Sequence, residues 1–395
     1  MIKRKKKNKE HNPFYDPTLK KRHVSAKRFK KFTLTSLIFS VAFLAFFLFD
    51  MIGKGIPAFN IAYIKVDVTF NEKTLEDTRF AVPTHYRNLV SRAALRDLPK
   101  LLEENPTYMN STQNIWILAS SQVDQYIKNH NHNLKDKDIA KVDELYAQGL
   151  IDKKFNAIFF ENGDSKIPEY AGIFSAVIGS ILTLIITMAV AFPIGVMTAI
   201  YLEEFAGDNK FTRFIEININ NLAAIPSILF GLLGLAIFIN LFGMPRSSPL
   251  VGGLTLALMT LPIIIVSSRA ALRAVPDSIR QAGYGLGLNK IQVTRDHVLP
   301  LAFPGIMTGS IIGLAQAMGE TAPLIIIGMI AFIPDAPSMV TQAATVMPAQ
   351  LFTWAGMPEG MYIEKTAAGI LVLLTILISL NAIAIYLRKK FEVKW

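Results

Sequence analysis

The chain contains no cysteine among its 395 residues, so it can form neither a disulfide bond nor a thiolate metal site. Its six histidines show no HxxxH or HxH spacing, and we predict no metal site. A GxxxxGK(S/T) motif is also absent, and GYGLGLNK resembles one only superficially, so the chain lacks a P-loop for ATP phosphates. We therefore predict no catalytic residue, no bound cofactor and no enzymatic activity for this chain.

Acidic residues are scarce near the N-terminus, where residues 1–33 hold thirteen lysines or arginines against Glu10 and Asp16. A basic tail can bind nucleic acid, but this one precedes an apolar run, and the positive-inside rule explains it as a cytoplasmic segment. Contact with anionic membrane lipids is a further expectation. A cleavable signal peptide is not expected, because the apolar run is long and no small-residue cleavage site follows it.

Apolar runs dominate the rest of the sequence, of which 51% is hydrophobic, and several reach the roughly 20 residues that span a bilayer. They predict an all-α polytopic membrane protein with six transmembrane helices. Residues 1–31 form a basic tail and residues 389–395 a basic end, so both termini are expected in the cytoplasm. The predicted spans are residues 32–52, 173–201, 222–242, 250–266, 305–333 and 367–387.

A polar block at residues 53–170 separates the first two spans and predicts a small α+β domain on the outer, periplasmic side. IAYIKVDVTF and IWILASS have the β-branched and aromatic content of strands. YRNLVSRAALRDLPKLLEE has the pattern of an amphipathic helix, and HNHNLKDKDIAK that of a loop with a helix start. Acids and bases are mixed as on a solvated surface, so the sequence identifies no catalytic group here and leaves the task of the domain open.

The loop at residues 274–304 is too charged for lipid and has the pattern of a helical hairpin. Pro276 and Asp277 are typical of a helix start, and Gly287 of a left-handed helix end. Asn289 with Gln292 predicts a capping box for a second short helix. Two prolines are expected to close that helix and open the next span; they are Pro300 and Pro304.

Small residues are expected on the exposed face of this hairpin, where they allow another backbone to approach closely: Ala282, Gly283, Gly285 and Gly287. One interpretation is an ordinary amphipathic loop that lies on lipid headgroups. The other is a docking site for a soluble partner on the cytoplasmic side.

Glu320 is the only acid well inside a predicted span from residue 173 onward, and a charge at the bilayer centre costs about 2.5–3.5 kcal/mol on insertion scales. Thr321 and Pro323 follow it and predict an interrupted helix whose freed backbone groups line a polar cavity. Glu320 either fixes the geometry of the bundle or forms part of a substrate path or gate. Gly309 and Gly313 form GxxxG, which is more often a packing motif than a functional one.

The hairpin resembles the cytoplasmic loop of ABC importer permeases, whose pattern is Glu-Ala-Ala, three residues, Gly, nine residues, Ile-x-Leu-Pro. The positions that match or occupy this pattern are Gln281, Ala282, Gly283, Gly287, His297, Leu299 and Pro300. Gln281, Gly283 and His297 depart from the family residues, whereas the spacing, the later glycine and Leu-Pro are intact. IPSILFGLLGLAIF and AQAMGETAPLIIIG are similar to the phosphate-specific members, particularly their A-type subunits.

This resemblance covers residues 171–388 and implies the type I permease fold, with a coupling loop at residues 274–300. It implies a heterodimer with a second permease, two cytoplasmic ATPase subunits that carry ATP and Mg, and a periplasmic phosphate-binding protein. The hairpin would then seat in a cleft of the ATPase, with Arg280 or Arg295 pairing with acids at its rim.

Arg269 and Arg273 could supply positive potential at the inner exit of a phosphate path; the alternative is plain positive-inside anchoring. Related permeases for sulfate, molybdate or phosphonate remain open, since they share the loop. A membrane sensor with an outer domain would leave the hairpin unexplained. A secondary transporter predicts internal repeats and more intramembrane charge, and the sequence shows neither.

Overall fold

The computed structural model describes residues 18–330 and 332–391. The chain divides into two compact units, residues 1–53 and residues 54–395. In the first unit, helix α1 (Leu19–Gly55) begins well before the predicted start at residue 32. The hydroxyls of Thr35, Ser36 and Ser40 donate to carbonyls one turn earlier, so these polar groups are satisfied within the apolar helix. Residues 1–17 of the predicted tail lie outside the described residues.

The predicted outer domain contains a three-stranded antiparallel sheet of order β2-β1-β3. One face of β1 is buried at Ile64, Val66 and Val68, as period-two alternation requires. The strands are β1 (Asn60–Thr69), β2 (Thr112–Leu118) and β3 (Ile151–Phe155). The helices are α2 (Glu72–Glu76), α3 (Arg92–Arg96), α4 (Leu98–Glu104), α5 (Ser121–Ile127), α6 (Asp136–Ala147) and α7 (Ala157–Glu161).

The two predicted strands and the helix start are confirmed, and two details differ. The single helix expected at residues 86–104 is two short helices, because Asp97 ends α3 and Pro99 lies in the first turn of α4. Strand β3 was missed, since IDKKF is short and its polar residues give little alternation.

The membrane part begins with α8 (Phe174–Ile200), which continues as a π-helical segment, Tyr201–Phe205. Helix α9 (Lys210–Ala223) and helix α10 (Ser227–Gly234, extended as a π-helix through Leu241) meet at an angle of 104°. The predicted span at 222–242 thus changes direction near its start, where Pro226 separates two differently directed helices.

The following helices are α11 (Pro249–Arg273), α12 (Asp277–Gly285), α13 (Lys290–Val293), α14 (Leu299–Gly319) and α15 (Ala322–Ile326). The expectation that Pro300 and Pro304 close the second hairpin helix is wrong. A π-helical segment, Thr294–Val298, joins α13 to α14, so one continuous helix runs over Lys290–Gly319. The span predicted to residue 333 ends at Gly319, where the helix is interrupted as expected.

The segment between residues 332 and 359, predicted as an outer loop, contains α16 (Met347–Ala355), and α17 (Gly360–Phe391) is the last of the long apolar helices. Five helices of the described residues are long and apolar enough to span a membrane, or six if the bent α9–α10 pair counts as one span. The core is centred on α11, which packs closely on its neighbours at glycines. A Cβ at Gly309 would lie 1.9 Å from the Ser267 hydroxyl. The predicted packing role of this glycine agrees with that contact.

Candidate functional site

The hairpin formed by α12 and α13 is shaped by its glycine turn. Gly287 has φ +81°, the left-handed conformation that favours glycine. The amide of Leu288 donates to the carbonyl of Gly283 (3.2 Å) and the amide of Gly287 to that of Tyr284 (2.9 Å), which is a Schellman end. Asn289 and Gln292 form the predicted capping box with α13. The local sequence therefore dictates a rigid hairpin.

The hairpin tip presents mainly apolar and small side chains to solvent. Gln281, Ala282 and Gly287 are exposed, and Leu286 between them is 80% exposed. Gly283 was expected on this surface and is instead buried, because a Cβ there would lie 2.8 Å from Cγ2 of Val293. Its role is to let α12 pack closely on α13.

A groove of about 360 Å³ lies beside the tip, lined by Ile279, Ala282, Gly283, Leu286, Asp296, His297, Pro300 and Leu301. Leu299 is half-buried and Pro300 is exposed at the start of α14. Four positions of the permease loop pattern thus line this groove: Ala282, Gly283, His297 and Pro300.

Arg280 fastens the hairpin to the end of α8. Its Nη2 donates to Oε1 of Glu204 (2.6 Å) and to the carbonyl of Leu272 (3.0 Å), and its Nη1 donates to the carbonyl of Val275 (2.8 Å). The Arg280 and Glu204 side chains are 16% and 4% exposed. The expectation that Arg280 pairs with a partner protein is therefore wrong, because this guanidinium is bound within the chain. Arg295 pairs with its neighbour Asp296 at the surface.

Arg269 and Arg273 lie at the inner end of α11 and are neutralised by carboxylates. Arg269 pairs with Glu203 (3.3 Å) and with Glu216, and Arg273 pairs with Glu203 (2.7 Å). The expected positive potential at an exit is not supported, since two glutamates balance the two arginines. The sequence indicates a polar loop at Glu203 and Glu204, directly after an apolar run, but it does not predict that Glu203 pairs with the two arginines.

The helix interruption begins at Glu320, whose ψ of 125° ends α14. Glu320 is half-buried, and its side chain makes no hydrogen bond or ion pair within residues 18–330 and 332–391. Thr321 precedes α15, and Pro323 is buried in its first turn. Pro323 packs against α10, because a Cβ at Gly231 would lie 2.7 Å from its Cα. The carboxylate is thus held at a break between tightly packed helices.

A second polar cluster, the outer joint, connects the outer domain to the start of α17; it consists of Asp124, Gln125, Lys128, His130 and Glu364. Glu364 accepts from Gln125 (2.7 Å) and Lys128 (3.1 Å) and contacts His130. Lys128 also pairs with Asp124 (2.6 Å). Burial raises the pKa of Asp124, although Lys128 opposes the shift. Sequence reasoning missed this joint; its signal was the charged residue Glu364 just before an apolar run.

No group of three or more potential metal ligands occurs in the described part of the chain. The features that stand out are an exposed hairpin, a continuous helix and a break that contains an acid. Together with the apolar helices, they describe a multi-pass membrane protein with an exposed hairpin.

The family described as binding-protein-dependent transport system inner membrane component matches residues 191–393, and the chain belongs to this family. A second family, described as a domain of unknown function, matches residues 16–85 and 81–136. The chain is similar to phosphate transport permeases of the PstA type.

Two such relatives are phosphate transport system permease proteins PstA. The protein of Mycobacterium leprae is 36% identical over 160 residues, which cover 40% of this chain and 52% of the relative. The protein of Yersinia pestis is 30% identical over 245 residues, which cover 61% of this chain and 81% of the relative. The chain thus spans about half the length of the mycobacterial relative.

A solved structure with a similar chain is the inward-facing MetNI methionine ABC transporter, with a TM-score of 0.44 and 16% identity. The match covers 55% of this chain and 97% of that one.

Proposed function

We propose that this chain is a permease subunit of an ATP-driven phosphate importer in a bacterial inner membrane, with both termini in the cytoplasm. Family membership and the phosphate permeases among the relatives support this proposal. The chain would form half of the membrane pathway, and a second permease subunit would supply the other half.

The observation that carries the proposal is the helix that connects the hairpin to the break. Lys290–Gly319 is a continuous helix of 30 residues. At a rise of 1.5 Å per residue it is about 45 Å long, enough to cross the bilayer. A displacement of the hairpin therefore moves the helix end at Glu320 directly. The Arg280–Glu204 pair passes the same displacement to α8.

The energy would come from two copies of a cytoplasmic ATPase, which carry ATP and Mg. Gln281, Ala282 and Gly287 would contact the ATPase, with Leu286 beside them at the exposed tip. Gly283, Leu299 and Pro300 would keep the hairpin in shape. A periplasmic phosphate-binding protein would deliver the solute from outside.

Glu320, Thr321 and Pro323 would form the gate. A carboxylate without a protein partner is unfavourable in a closed apolar environment, so Glu320 favours states in which water or a mobile cation reaches the break. Direct binding of an anion to Glu320 is disfavoured by charge. Its role is to make the closed state only marginally stable, so that hairpin movement opens it.

The proposal is tested by uptake into vesicles that contain this chain, the second permease and the ATPase, with binding protein outside and ATP inside. Phosphate uptake coupled to ATP hydrolysis is expected. Sulfate, molybdate and phosphonate are the alternative solutes of this class. If the vesicles take up one of these oxyanions in an ATP-dependent way and do not take up phosphate, that oxyanion is the transported solute and the phosphate assignment is wrong.

A further inference from the structure

Three phenylalanines of the outer domain form a stacked row, which we call the aromatic shelf: Phe59, Phe155 and Phe160. The ring of Phe160 stacks on Phe59 (5.9 Å between centroids, 8° between planes) and on Phe155 (5.8 Å, 8°). Phe159 is fully buried and meets Phe59 and Phe160 edge to face. The buried ring of Phe159 therefore holds the stacked row in place.

The outer rings of the shelf lack a cover within the described residues. Phe155 is 63% exposed and Phe160 is 37% exposed. Stacked phenylalanines in water leave a contiguous apolar surface, which in a folded protein marks an interaction site. The positions of helices α8 and α17 relative to the shelf indicate which environment covers these rings.

Backbone hydrogen bonds hold the shelf at the outer end of the membrane helices. The amide of Ile173 donates to the carbonyl of Phe159 (2.9 Å), and the amide of Phe174, the first residue of α8, donates to that of Asn162 (2.9 Å). The shelf residue Phe160 therefore lies between two positions that are bonded to the start of α8.

Contacts with helix α17 independently place the shelf at the same end of the membrane helices. A Cβ at Gly55 would lie 2.9 Å from the amide nitrogen of Ala368, near the start of the apolar run of α17. The 3-10 helix Ile56–Phe59 then leads from Gly55 to the shelf. At about 2.0 Å per residue it covers about 8 Å, which is comparable to the thickness of one headgroup layer.

Helix α8 presents an exposed apolar face from its first residue onward. Phe174 is 43% exposed, and Ile181 and Ile185 are exposed further along the same helix. Lys153 is exposed on β3, two residues before Phe155. Exposed phenylalanines beside a long basic side chain are the composition of surfaces that lie at the boundary between headgroups and acyl chains.

We propose that the aromatic shelf inserts into the headgroup region of the outer leaflet and seats the outer domain on phospholipid. Phe155 and Phe160 contact the acyl-chain boundary, and Lys153 reaches the lipid phosphates. The sheet then extends from the membrane with the Thr69–Thr112 end farthest away. This proposal depends on the membrane position of α8 and α17 and is independent of the transported solute.

The test uses the absence of cysteine, since each introduced cysteine is then a unique labelling position. Phe155→Cys and Phe160→Cys carry a nitroxide spin label in the full-length chain, reconstituted into vesicles of phosphatidylethanolamine with a minority of phosphatidylglycerol. Thr112→Cys is the matched control. Thr112 is exposed in the same sheet and pairs with Thr69. Thr69 lies nine residues along β1 from Asn60, so Thr112 is about 30 Å from the Asn60 end of the sheet.

Electron paramagnetic resonance measures collisions of each label with oxygen, which prefers lipid, and with a water-soluble nickel chelate. The ratio of oxygen to nickel collisions is expected to be severalfold higher at positions 155 and 160 than at 112. Equal, water-like ratios at all three positions would overturn the proposal. If Phe160→Cys fails to fold, Phe155→Cys decides, because its side chain is mostly outside the core.

The measurement is then repeated with the second permease, the ATPase and the binding protein added. Unchanged accessibility supports lipid as the occupant. If both reagents lose access only when the partners are present, the shelf is a protein interface and the lipid assignment is wrong.

Discussion

Arg280 and Glu204 are 76 residues apart in the chain, yet Nη2 of the arginine lies 2.6 Å from Oε1 of the glutamate. This pair attaches the hairpin to the end of α8. Both side chains are mostly buried, and removing one partner of a buried pair leaves an uncompensated charge. The attachment therefore links the position of the hairpin to the end of α8.

Arg280→Ala is expected to weaken this attachment by about 3–5 kcal/mol, because Glu204 is left buried without its partner. ATP hydrolysis in a reconstituted complex should persist while coupled solute uptake falls by about an order of magnitude or more. Arg213→Ala is the matched control, since its pair with Asp208 lies outside the hairpin and is exposed, and such pairs contribute about 0–1 kcal/mol. If both variants take up the solute equally well, Arg280 does not contribute to coupling between the ATPase and the membrane helices.

Gly287→Asn tests the docking surface separately from the fold. Asparagine tolerates the left-handed conformation at modest cost, and nothing lies within 4 Å of a Cβ at this position. The hairpin should therefore form, while the added side chain obstructs a partner and lowers uptake. Gly243→Asn is the control, because Gly243 also has a positive φ (+66°) and equally open surroundings. Similar losses at both positions would indicate backbone strain instead of docking.

Local chemistry explains which features of the hairpin could be predicted. The glycine turn, the capping box and the helix start depend on residues within a few positions of each other, so Gly287, Asn289 and Gln292 are correctly interpreted from sequence. The helix interruption after Gly319 was also visible because Pro323 lies inside an apolar run.

Features that depend on distant contacts were not predictable in this way. The partner of Arg280 lies on another helix, so the arginine looked available for a protein outside the chain. Pro300 looked like a helix end, but the π-helical segment before it accommodates the proline. Gly283 was predicted to be exposed, but Val293 packs against it. Packing, not local propensity, decided each of these.

Glu320→Gln removes the charge at the break with little change in volume. Because the side chain has no ion-pair partner among the described residues, assembly and thermal stability should be retained or slightly increased. Uptake should fall several-fold, since the closed state is no longer destabilised. Size-exclusion chromatography and vesicle uptake of the same preparation separate these effects. Loss of assembly would show that Glu320 is structural.

Glu364→Ala is expected to loosen the outer joint. Gln125 loses its acceptor in a buried site and Lys128 keeps only Asp124, at a cost of about 1–3 kcal/mol. Limited proteolysis should then cut the outer domain faster, while α17 remains inserted. Glu103→Ala, at an exposed position of α4, is the control and should digest like the parent chain. Unchanged digestion of both variants would contradict a joint at Glu364.

Asp164 gives a pH dependence with a defined sign. Burial raises the pKa of its carboxyl above the ordinary 3.8, although Trp354 and the Ser165 amide donate to it. The folded state then binds the proton more tightly than the unfolded chain, so this contribution to stability falls as pH rises from 3.8 to the raised pKa.

Asp164→Asn retains the acceptor oxygen for Trp354 and removes the dependence of stability on pH that the Asp164 carboxyl causes. The variant should be at least as stable as the parent at neutral pH, with a melting profile in detergent that is flatter as pH rises above the ordinary pKa of 3.8. A parallel profile for both proteins would assign the pH dependence to other groups.

The central claim is that the hairpin tip touches the ATPase and that its movement drives transport. The direct measurement uses Leu286→Cys, which is at the tip and 80% exposed, in a chain without other cysteines. A bifunctional reagent should link position 286 to the ATPase subunit, and the link should stop ATP-driven phosphate uptake until it is cleaved. Labelling of this cysteine by an impermeant reagent from the outer side, or full uptake while the link is intact, would contradict the account.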